Sequence, residues 1–429
     1  MDPDILILGA GLAGLAAARR LSSVGKSVAI LEARDWIGGR VWSRRRPGRY
    51  PIELGAEWLD GDGQVRALQD QGGARVLKSQ GQFYRRTPGG FQRAGQPYDP
   101  RLLTALGRLG GPDRSVRQAL DQCCRGAEWQ DVSLQLQRYI EGFHAGNPDT
   151  LSLRWLLQVE RNQSVDAARH RSADGAGTSA SALANDLNER CAVRLDTVAQ
   201  SVRWKRGGVT VIAETREGPR TFEAGALIVT LPLSVLKARP GAPGAVRFTP
   251  ALTSRKPAMD RLYMGHVFKV ILEFREEFWR DLPSFDHMLF LQDFTQPFPT
   301  WWTMSPARTP LLAGWTAGPG TDRLSGTSLS GLLDLAVDSL AGALNLPRGA
   351  IERQLVSGYL HDWQADPFSR GSYTSVLVGG VDAWKTLSRP LEDTVFLAGE
   401  ATCGGGYNAT MEGAVASGRR AADQLLRVS

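Results

Sequence analysis

The chain has 429 residues, of which 42% are hydrophobic, and it carries a formal net charge of +7. One hydrophobic core rarely serves so many residues, so two intertwined domains are expected. No apolar run approaches the roughly 18 residues of a membrane span, and the first ten residues lack the basic start of a signal peptide. These features predict a soluble, cytoplasmic protein with no membrane partner.

The cysteines and the basic residues indicate neither a metal site nor a nucleic-acid site. No cysteine stands in a CxxC spacing or beside a histidine pattern that holds a metal. Only seven of the 51 basic residues are lysine. The arginine cluster within residues 44–49 either attracts an anionic partner or is a solvated surface, and we favour the surface. The cysteines are Cys123, Cys124, Cys191 and Cys403.

Residues 4–32 predict a strand, a glycine turn, a helix over 15–21 and a second strand over 27–32, which together form a βαβ unit. Glycine in that turn allows a tight bend and a close approach of a pyrophosphate to backbone N–H groups. The start of the helix then faces the phosphates. The glycines of the turn are Gly9, Gly11 and Gly14.

Glu32 closes the second strand, where its carboxylate would accept hydrogen bonds from ribose hydroxyls. The nearby Arg34 suggests a 2′-phosphate, but Glu32 would repel that group. The unit therefore predicts a dinucleotide site that takes either NAD or FAD.

Later segments are predicted in chain order as a mainly helical region over 100–190, then strands, then a final helix over 410–426. A loop rich in Pro and Gly at 239–250 interrupts the strands. The order of segments predicts an α/β protein with a Rossmann-like nucleotide-binding domain and an inserted α+β domain. The predicted strands are 209–214, 226–231, 267–274 and 395–398.

Two features outside the βαβ unit favour FAD over NAD. Gly38, Gly39 and Arg40 bring bare backbone and a guanidinium to the same phosphates. The final helix carries small residues at helical intervals, so it can lie close to a ring system, and its N-terminus would stabilise negative charge on the pyrimidine end of a reduced flavin. A simple NAD dehydrogenase needs no such closing element.

The sequence resembles the flavin-containing amine oxidases, which include monoamine oxidases, polyamine oxidases and histone-lysine demethylase flavoproteins. The resemblance covers nearly the whole chain. It is carried by LILGAGLAGLAAARRL and VAILEARDWIGGRV near the N-terminus, ELGAEWLDG from Glu53, GTSASALANDL from Gly177, IVTLPLSVL from Ile228, GHVFKVILEFREEFW from Gly265, WQADPFSRGSY from Trp363 and FLAGEATCGGGYNATMEGAVASG from Phe396.

The resemblance implies a discontinuous FAD-binding domain over 1–80, 180–255 and 385–429, and a substrate-binding domain over 81–179 and 256–384. It places Glu32 on the adenosine ribose, Arg34 and Arg40 beside the phosphates, Val198 at the adenine and Glu400 on the ribityl chain. The alternative is that Val198 only packs in the hydrophobic core and does not contact the adenine. The residues predicted to bind FAD are Gly9, Gly11, Gly14, Glu32, Ala33, Arg34, Gly38, Gly39, Arg40, Gly55, Ala56, Glu57, Trp58, Val198, Trp363, Gly399, Glu400, Thr410 and Met411.

Lys269 stands in an otherwise apolar predicted strand, so its ammonium must reach a polar site or an exposed strand face. It matches the family lysine that holds a water against flavin N5. The alternative is an edge-strand lysine that blocks aggregation. The predicted catalytic residues are Lys269, Tyr373 and Thr410.

Two departures from the family affect the flavin and the substrate pocket. Ser372 stands where monoamine oxidases carry the cysteine that bonds to flavin, so FAD is predicted to bind noncovalently. Tyr373 matches one wall of the aromatic cage around the amine, with a packing tyrosine as the alternative. Thr410 replaces the opposite wall, which predicts a more open pocket that Tyr407 partly fills. Trp363 matches the tryptophan beside the flavin, with a core tryptophan as the alternative.

The resemblance predicts that an amine C–N bond is oxidised to an imine by hydride transfer to flavin N5. Water then hydrolyses the imine, and O2 reoxidises the reduced flavin with release of H2O2. The partners are then a small-molecule amine and O2, while the oligomeric state is left open. One alternative is a flavoenzyme of the same fold that desaturates a carotenoid or a porphyrinogen. A second alternative is a non-catalytic flavin-binding or chromatin-binding module.

Glu57 and Asp60 lie in a turn that the resemblance places beside the flavin. A carboxylate in the pocket would attract a second cationic group and favour a diamine, a polyamine or an amine with a distal polar group over a small benzylic amine. The alternative, which we favour slightly, is that backbone donors of their own turn satisfy both carboxylates.

Overall fold

The computed structural model describes residues 3–59, 63–95, 98–162, 169–283, 285 and 287–428. A parallel sheet lies at its centre, and the strands of this sheet come from widely separated parts of the chain. They are β1 (Ile5–Leu8), β2 (Val28–Leu31), β10 (Cys191–Arg194), β14 (Ala226–Val229) and β23 (Val395–Leu397). The order is β10-β2-β1-β14-β23, and every neighbouring pair is parallel.

Both faces of the parallel sheet are covered, as expected for buried parallel strands. Ile5 and Ile7 pack against helices α1 (Leu12–Ser22) and α14 (Met411–Leu426). Leu6 and Leu8 point to the other face and join the core made by four helices. Those helices are α3 (Pro100–Gly107), α4 (Val116–Cys123), α5 (Ala127–Phe143) and α6 (Leu153–Asn162).

A second, mixed sheet lies on the far side of the candidate site. Its strands are β7 (Gln82–Thr87), β8 (Gly90–Arg93), β17 (Val267–Phe274), β18 (Met288–Gln292), β19 (Thr300–Thr303), β20 (Leu311–Ala317) and β21 (Leu355–Leu360). The order is β21-β17-β20-β19-β18-β7-β8. Strand β17 pairs on both sides and is buried at every position, because α11 (Leu329–Leu344) covers one face.

The remaining elements connect these two sheets. Four strands form a further sheet of order β13-β12-β11-β15: β11 (Val198–Lys205), β12 (Gly208–Thr215), β13 (Gly218–Ala224) and β15 (Arg247–Thr249). Small sheets are formed by β3 (Ser43–Arg46) with β4 (Arg49–Glu53), by β5 (Trp58–Leu59), β6 (Val76–Lys78) and β9 (His170–Ser172), and by β16 (Leu262–Gly265) with β22 (Tyr373–Val376). Short helices are α2 (Gln64–Gln71), α7 (Thr178–Asn185), α8 (Leu233–Leu236), α9 (Lys256–Met259), α10 (Pro319–Asp322), α12 (Arg348–Gln354) and α13 (Ala383–Leu387).

The predicted α/β fold and its main elements are confirmed, with corrections at several ends. The predicted helix over 15–21 begins earlier, at Leu12, because the chain turns directly out of Gly11. The final helix begins at Met411, since Thr410 is its N-cap and accepts the Gly413 N–H at 2.9 Å. The predicted domain limits stay a prediction, although the separated origin of the central strands agrees with a discontinuous domain.

The arginine cluster lies on and beside the β3–β4 hairpin. Arg46 and Arg49 both contact the Glu273 carboxylate, at 2.7 and 3.4 Å. Arg45 donates to the Thr178 hydroxyl at 2.9 Å. Much of this charge is therefore used within the chain.

Within the described ranges, no single helix is long and apolar enough to cross a membrane. Among the same residues, only the bent pair α11 and α12, taken together, has the length and composition of a membrane span. The four cysteines are free thiols. The part of the chain that the structure describes contains no group of three His, Cys, Asp or Glu side chains placed for a metal ion.

Candidate active site

A cavity of about 1580 Å³ is lined by the ends of the parallel strands and by strands of the mixed sheet. Pockets for one drug-sized ligand usually measure about 300–1,000 Å³. The cavity therefore has room for a large cofactor together with a small substrate. All residues predicted to bind FAD line it except Gly14, which packs behind the glycine turn.

The glycine turn forms one end of this cavity. Gly9 has φ +100°, a conformation that L side chains rarely adopt. A Cβ on Gly14 would lie 2.0 Å from the Gly9 carbonyl oxygen, so only glycine lets helix α1 start this close to the turn. The turn thus leaves its backbone accessible to a phosphate at the N-terminus of α1.

Glu32 lies at the end of β2 and is buried. Its two carboxylate oxygens accept the N–H groups of Ala10 at 2.7 Å and Arg34 at 3.0 Å. Burial raises the pKa of this carboxyl, and those backbone donors lower it. The carboxylate is held rigidly at the cavity wall with lone pairs left over for ribose hydroxyls.

Arg34 lines the cavity and makes contacts that the sequence did not predict. Its guanidinium is buried and donates to Asp366 and Ser369, each at 2.8 Å. It also lies 5.8 Å from the centroid of Trp363. The guanidinium is paired and orders the wall formed by residues 363–369, and its predicted place beside the phosphates stays a prediction.

Arg40 and Glu400 form an ion pair of 3.0 Å at the cavity wall. Glu400 also accepts the Ala409 N–H at 2.9 Å and the Thr374 hydroxyl at 2.5 Å. This network ties the loop after β23 to the strand β22 and to the approach to α14. The predicted phosphate-side and ribityl-side residues are thus in direct contact with each other.

The residues around the cavity fit a bound FAD. Gly55 lines the cavity and must be glycine, because a Cβ there would lie 2.0 Å from the Arg40 carbonyl oxygen. The buried Ser372 hydroxyl lines the cavity and has no hydrogen-bond partner within the described residues. Helix α14 begins at the cavity wall with Met411, and the N–H groups of a first helical turn need acceptors. A flavin ring supplies such acceptors.

Lys269 lies on the interior strand β17 and is only 4% exposed, so the edge-strand alternative is wrong. Its ammonium donates to the Gly55 carbonyl oxygen and to the Glu57 carboxylate, each at 3.0 Å. Lysine has three donors, so one is left for a group in the cavity.

Glu57 is satisfied by side chains and not by its own turn, which corrects the interpretation favoured from the sequence. Besides Lys269 it accepts the Trp302 indole N–H at 2.6 Å, and Arg171 lies 4.0 Å away. It is 3% exposed. This carboxylate is neutralised within the protein, and Asp60 lies outside the described residues.

Tyr373, Thr410, Tyr407 and Trp363 all line the cavity. The Tyr373 hydroxyl donates to the Phe143 carbonyl at 2.7 Å, which fixes the ring, and burial raises the pKa of its phenol. The Thr410 hydroxyl donates to the Tyr407 carbonyl at 2.7 Å while it caps α14. Trp363 is buried and donates to the Leu54 carbonyl at 2.9 Å. Tyr407 is 47% exposed, and its partial filling of the Thr410 side stays a prediction.

Sequence reasoning missed several residues of this site. Trp302 donates its indole N–H to Glu57. It lies in the run Thr300–Thr303 (TWWT), whose composition predicts a strand, so this strand could have been identified from the sequence. Glu53 lies behind the cavity wall; burial raises its pKa to about 7, while Lys269 lowers it and Glu57 raises it further. His144 and Glu160 form a buried contact of 3.1 Å at the cavity wall. No local pattern marks these last residues, because their partners are distant in sequence.

Comparison with known proteins agrees with the geometry. The chain is 29% identical over 458 residues to lysine-specific histone demethylase 1 homolog 2 of Arabidopsis thaliana, covering 100% of this chain and 59% of that protein. It is 27% identical over 468 residues to polyamine oxidase 4 of Oryza sativa subsp. japonica, covering 98% of this chain and 88% of that one. The chain spans 52 to 59% of the length of the first three curated relatives.

The fold also matches a solved structure of wild-type putrescine oxidase bound to putrescine, with a TM-score of 0.81, 22% identity and coverage of 100% of this chain and 99% of that one. The model of the flavin containing amine oxidoreductase family matches residues 12–426. FAD is therefore the cofactor of this chain, and the residues of the cavity fit it. The chain belongs to the flavin containing amine oxidoreductase family.

Proposed function

We propose that the protein is an amine oxidase that uses FAD and O2. Bound FAD supplies the redox chemistry: it takes a hydride equivalent from the carbon that bears the nitrogen, the resulting imine is hydrolysed by water, and O2 takes the electrons as H2O2. Every other requirement falls on the side chains and backbone of the chain, which must orient the amine, keep it unprotonated and hold a water.

The buried Lys269 in the cavity wall is the observation that carries this proposal. An ammonium on an interior strand costs free energy unless it is paired, and here one carbonyl and one carboxylate pair it. Its remaining donor can hold a water inside the cavity. Desaturation of a hydrocarbon needs no such donor, so the lysine favours amine oxidation over the carotenoid or porphyrinogen alternative.

The aromatic side chains give the amine its orientation. Tyr373 is held by the Phe143 carbonyl and presents a fixed ring to the cavity. An apolar wall disfavours an ammonium that has lost its water, so it shifts a bound amine toward its neutral form, whose lone pair assists C–H cleavage. Thr410 leaves the opposite wall free of aromatic bulk.

FAD is proposed to be noncovalent, because Ser372 offers a hydroxyl where a thioether needs a thiol. Heat or acid denaturation should release yellow, protein-free FAD into the supernatant. Flavin that stays on the denatured polypeptide in a denaturing gel would refute this part of the proposal.

The function is tested by mixing the holoenzyme anaerobically with a panel of amines and following flavin absorbance, then admitting air and measuring H2O2. Bleaching by an amine and recovery in air with peroxide release support an oxidase. Bleaching without rapid recovery in air indicates a dehydrogenase. Absence of bleaching by every amine refutes amine oxidation and favours the desaturase or the non-catalytic module.

A further inference from the structure

We propose that the amine substrate carries a carboxylate or another anionic group, which is bound by Arg138, Arg169 and Arg323 in the cavity wall. The inference rests on the proposed amine oxidation and specifies its substrate class. It replaces the diamine and polyamine preference that the acids of the sequence suggested.

The carboxylates in the part of the cavity that would hold the substrate already have partners within the chain. Glu57 is paired with Lys269. Glu160 accepts hydrogen bonds from Tyr98, from Tyr139 at 3.1 Å and from His144 at 3.1 Å. Forming a new ion pair with a distal ammonium would mean breaking these buried contacts.

Two further acids line the cavity, and neither offers a free anionic site. Glu412 accepts the backbone N–H groups of Gln64 and Val65 at 2.9 and 2.8 Å. Glu141 is half-buried; burial raises its pKa, and the field of Arg117, Arg138 and Arg323 lowers it. A carboxylate in the field of three guanidinium groups is a poor site for a cation.

Among the described residues, the three arginines make no direct contact with an acid, and Glu141 acts on Arg138 and Arg323 only through its longer-range field. Within the described residues, none of them makes an ion pair or a side-chain hydrogen bond. The Arg138 guanidinium lies 4.5 Å from the centroid of Phe294, and that of Arg169 lies 5.1 Å from Phe143. Such faces hold a guanidinium in place while leaving its donor edge available to a carboxylate.

These arginines lie next to the proposed amine site. Arg138 is on α5, whose last residue, Phe143, accepts the Tyr373 hydroxyl. Arg169 covers that same phenylalanine. Arg323 follows α10, and this helix packs on α5, since a Cβ on Gly318 would lie 2.8 Å from the Glu141 carbonyl oxygen. An anionic group on the substrate therefore meets positive charge while its amine reaches the Tyr373 wall.

The test compares matched substrates with the holoenzyme at low salt: 6-aminohexanoate, hexylamine and 1,6-diaminohexane, and likewise 4-aminobutanoate, butylamine and putrescine. We expect the highest kcat/KM for an amino acid in at least one set, with a preference that weakens as salt screens the arginines. In the triple variant Arg138→Gln, Arg169→Gln and Arg323→Gln, kcat/KM for that amino acid should fall at least about tenfold, while that for the uncharged-tail amine should stay near wild type.

A matched control and a second readout separate charge from damage to the fold. Arg203→Gln removes an exposed arginine of β11 that does not line the cavity, and it should change no substrate ranking. Hexanoate, which cannot be oxidised as an amine, should perturb flavin absorbance in the wild type but not in the triple variant.

A wild-type preference for the diamines, or hexanoate binding unchanged in the triple variant, would overturn the inference. If no amine bleaches the flavin, the proposed function fails, and hexanoate binding still decides whether the arginines form an anion site.

Discussion

Lys269 and Glu57 show how single residues set the electrostatics of the cavity. They form a 3.0 Å ion pair and are 4% and 3% exposed. Each buried charge is stabilised by the opposite charge. The loss of stability on removing one of them therefore depends on which groups remain beside its partner.

Lys269→Met should lower the free energy of unfolding by about 3 kcal/mol, because Glu57 stays buried with Trp302 and with Arg171 at 4.0 Å. It should also slow flavin reduction or reoxidation at least about tenfold, since the ammonium donors are lost. Urea denaturation and stopped-flow absorbance measure these two effects.

The double variant Lys269→Met with Glu57→Gln is the control, because it removes both charges. It should recover much of the lost stability and none of the rate. If the rate returns together with stability, Lys269 has only a structural role.

Glu53 provides a pH prediction, because burial raises its pKa to about 7 from a normal value near 4.5. A raised pKa in the folded state means that folding favours the protonated form. The contribution to stability is full below pH about 4.5 and is lost as the pH rises through about 7.

Glu53→Gln should abolish that loss, since glutamine keeps an acceptor for the Ala176 N–H, which lies at 2.9 Å, and cannot ionise. The stability of the variant relative to wild type should therefore increase between pH 5 and pH 8. Urea denaturation of both proteins at the two pH values checks it, and a constant difference would show that Glu53 is ionised throughout.

At the scale of elements, helices α1 and α14 pack so closely that the contact depends on glycine. A Cβ on Gly418 would lie 2.0 Å from the Ala13 carbonyl oxygen. Because α14 starts at the cavity with Met411, the spacing of this helix pair also sets the position of the flavin-side helix terminus.

Gly418→Ala should destabilise the protein by about 1–3 kcal/mol through overpacking and should weaken FAD binding as α14 shifts. Thermal unfolding and FAD titration of the apoprotein measure the two effects. Gly107→Ala is the matched control, since a Cβ at the end of α3 meets nothing within 4 Å. Equal effects of both substitutions would argue against the close-packing explanation.

At the scale of the whole molecule, the cavity joins parts of the chain that are far apart in sequence. Its lining includes the glycine turn near residue 10, Val198, Lys269 and the start of α14. A cofactor that contacts all of them links both sheets, so FAD should contribute to the stability of the whole protein.

Removing FAD should lower the thermal midpoint, and adding FAD at about 100 times its Kd should restore about 2.7 kcal/mol. FMN should restore less, because it lacks the adenosine that the site near Glu32 is predicted to bind. Calorimetry with FAD, FMN and no flavin checks this expectation. Equal stabilisation by FMN would exclude a contribution from the glycine turn and Glu32.

The sequence by itself determined the elements whose signals are local. The alternation of strand, glycine turn and helix over residues 4–32 predicted β1, α1 and β2, because the glycine requirement of the turn is fixed by backbone geometry at that point. The apolar run around Lys269 predicted β17 with its correct limits for the same reason. Family motifs along the chain identified the flavin site.

Only the tertiary structure decided which charges remain available to a substrate. The sequence favoured backbone donors of its own turn as the partners of Glu57, but Lys269 pairs with it and Trp302 donates to it, each from more than 200 residues away. The sequence placed Arg34 beside the phosphates and gave no sign of its ion pair with Asp366. Ion pairs form between residues that the fold brings together, and sequence separation carries no information about which of them will meet. The balance of free charge in the cavity is therefore a property of the folded chain.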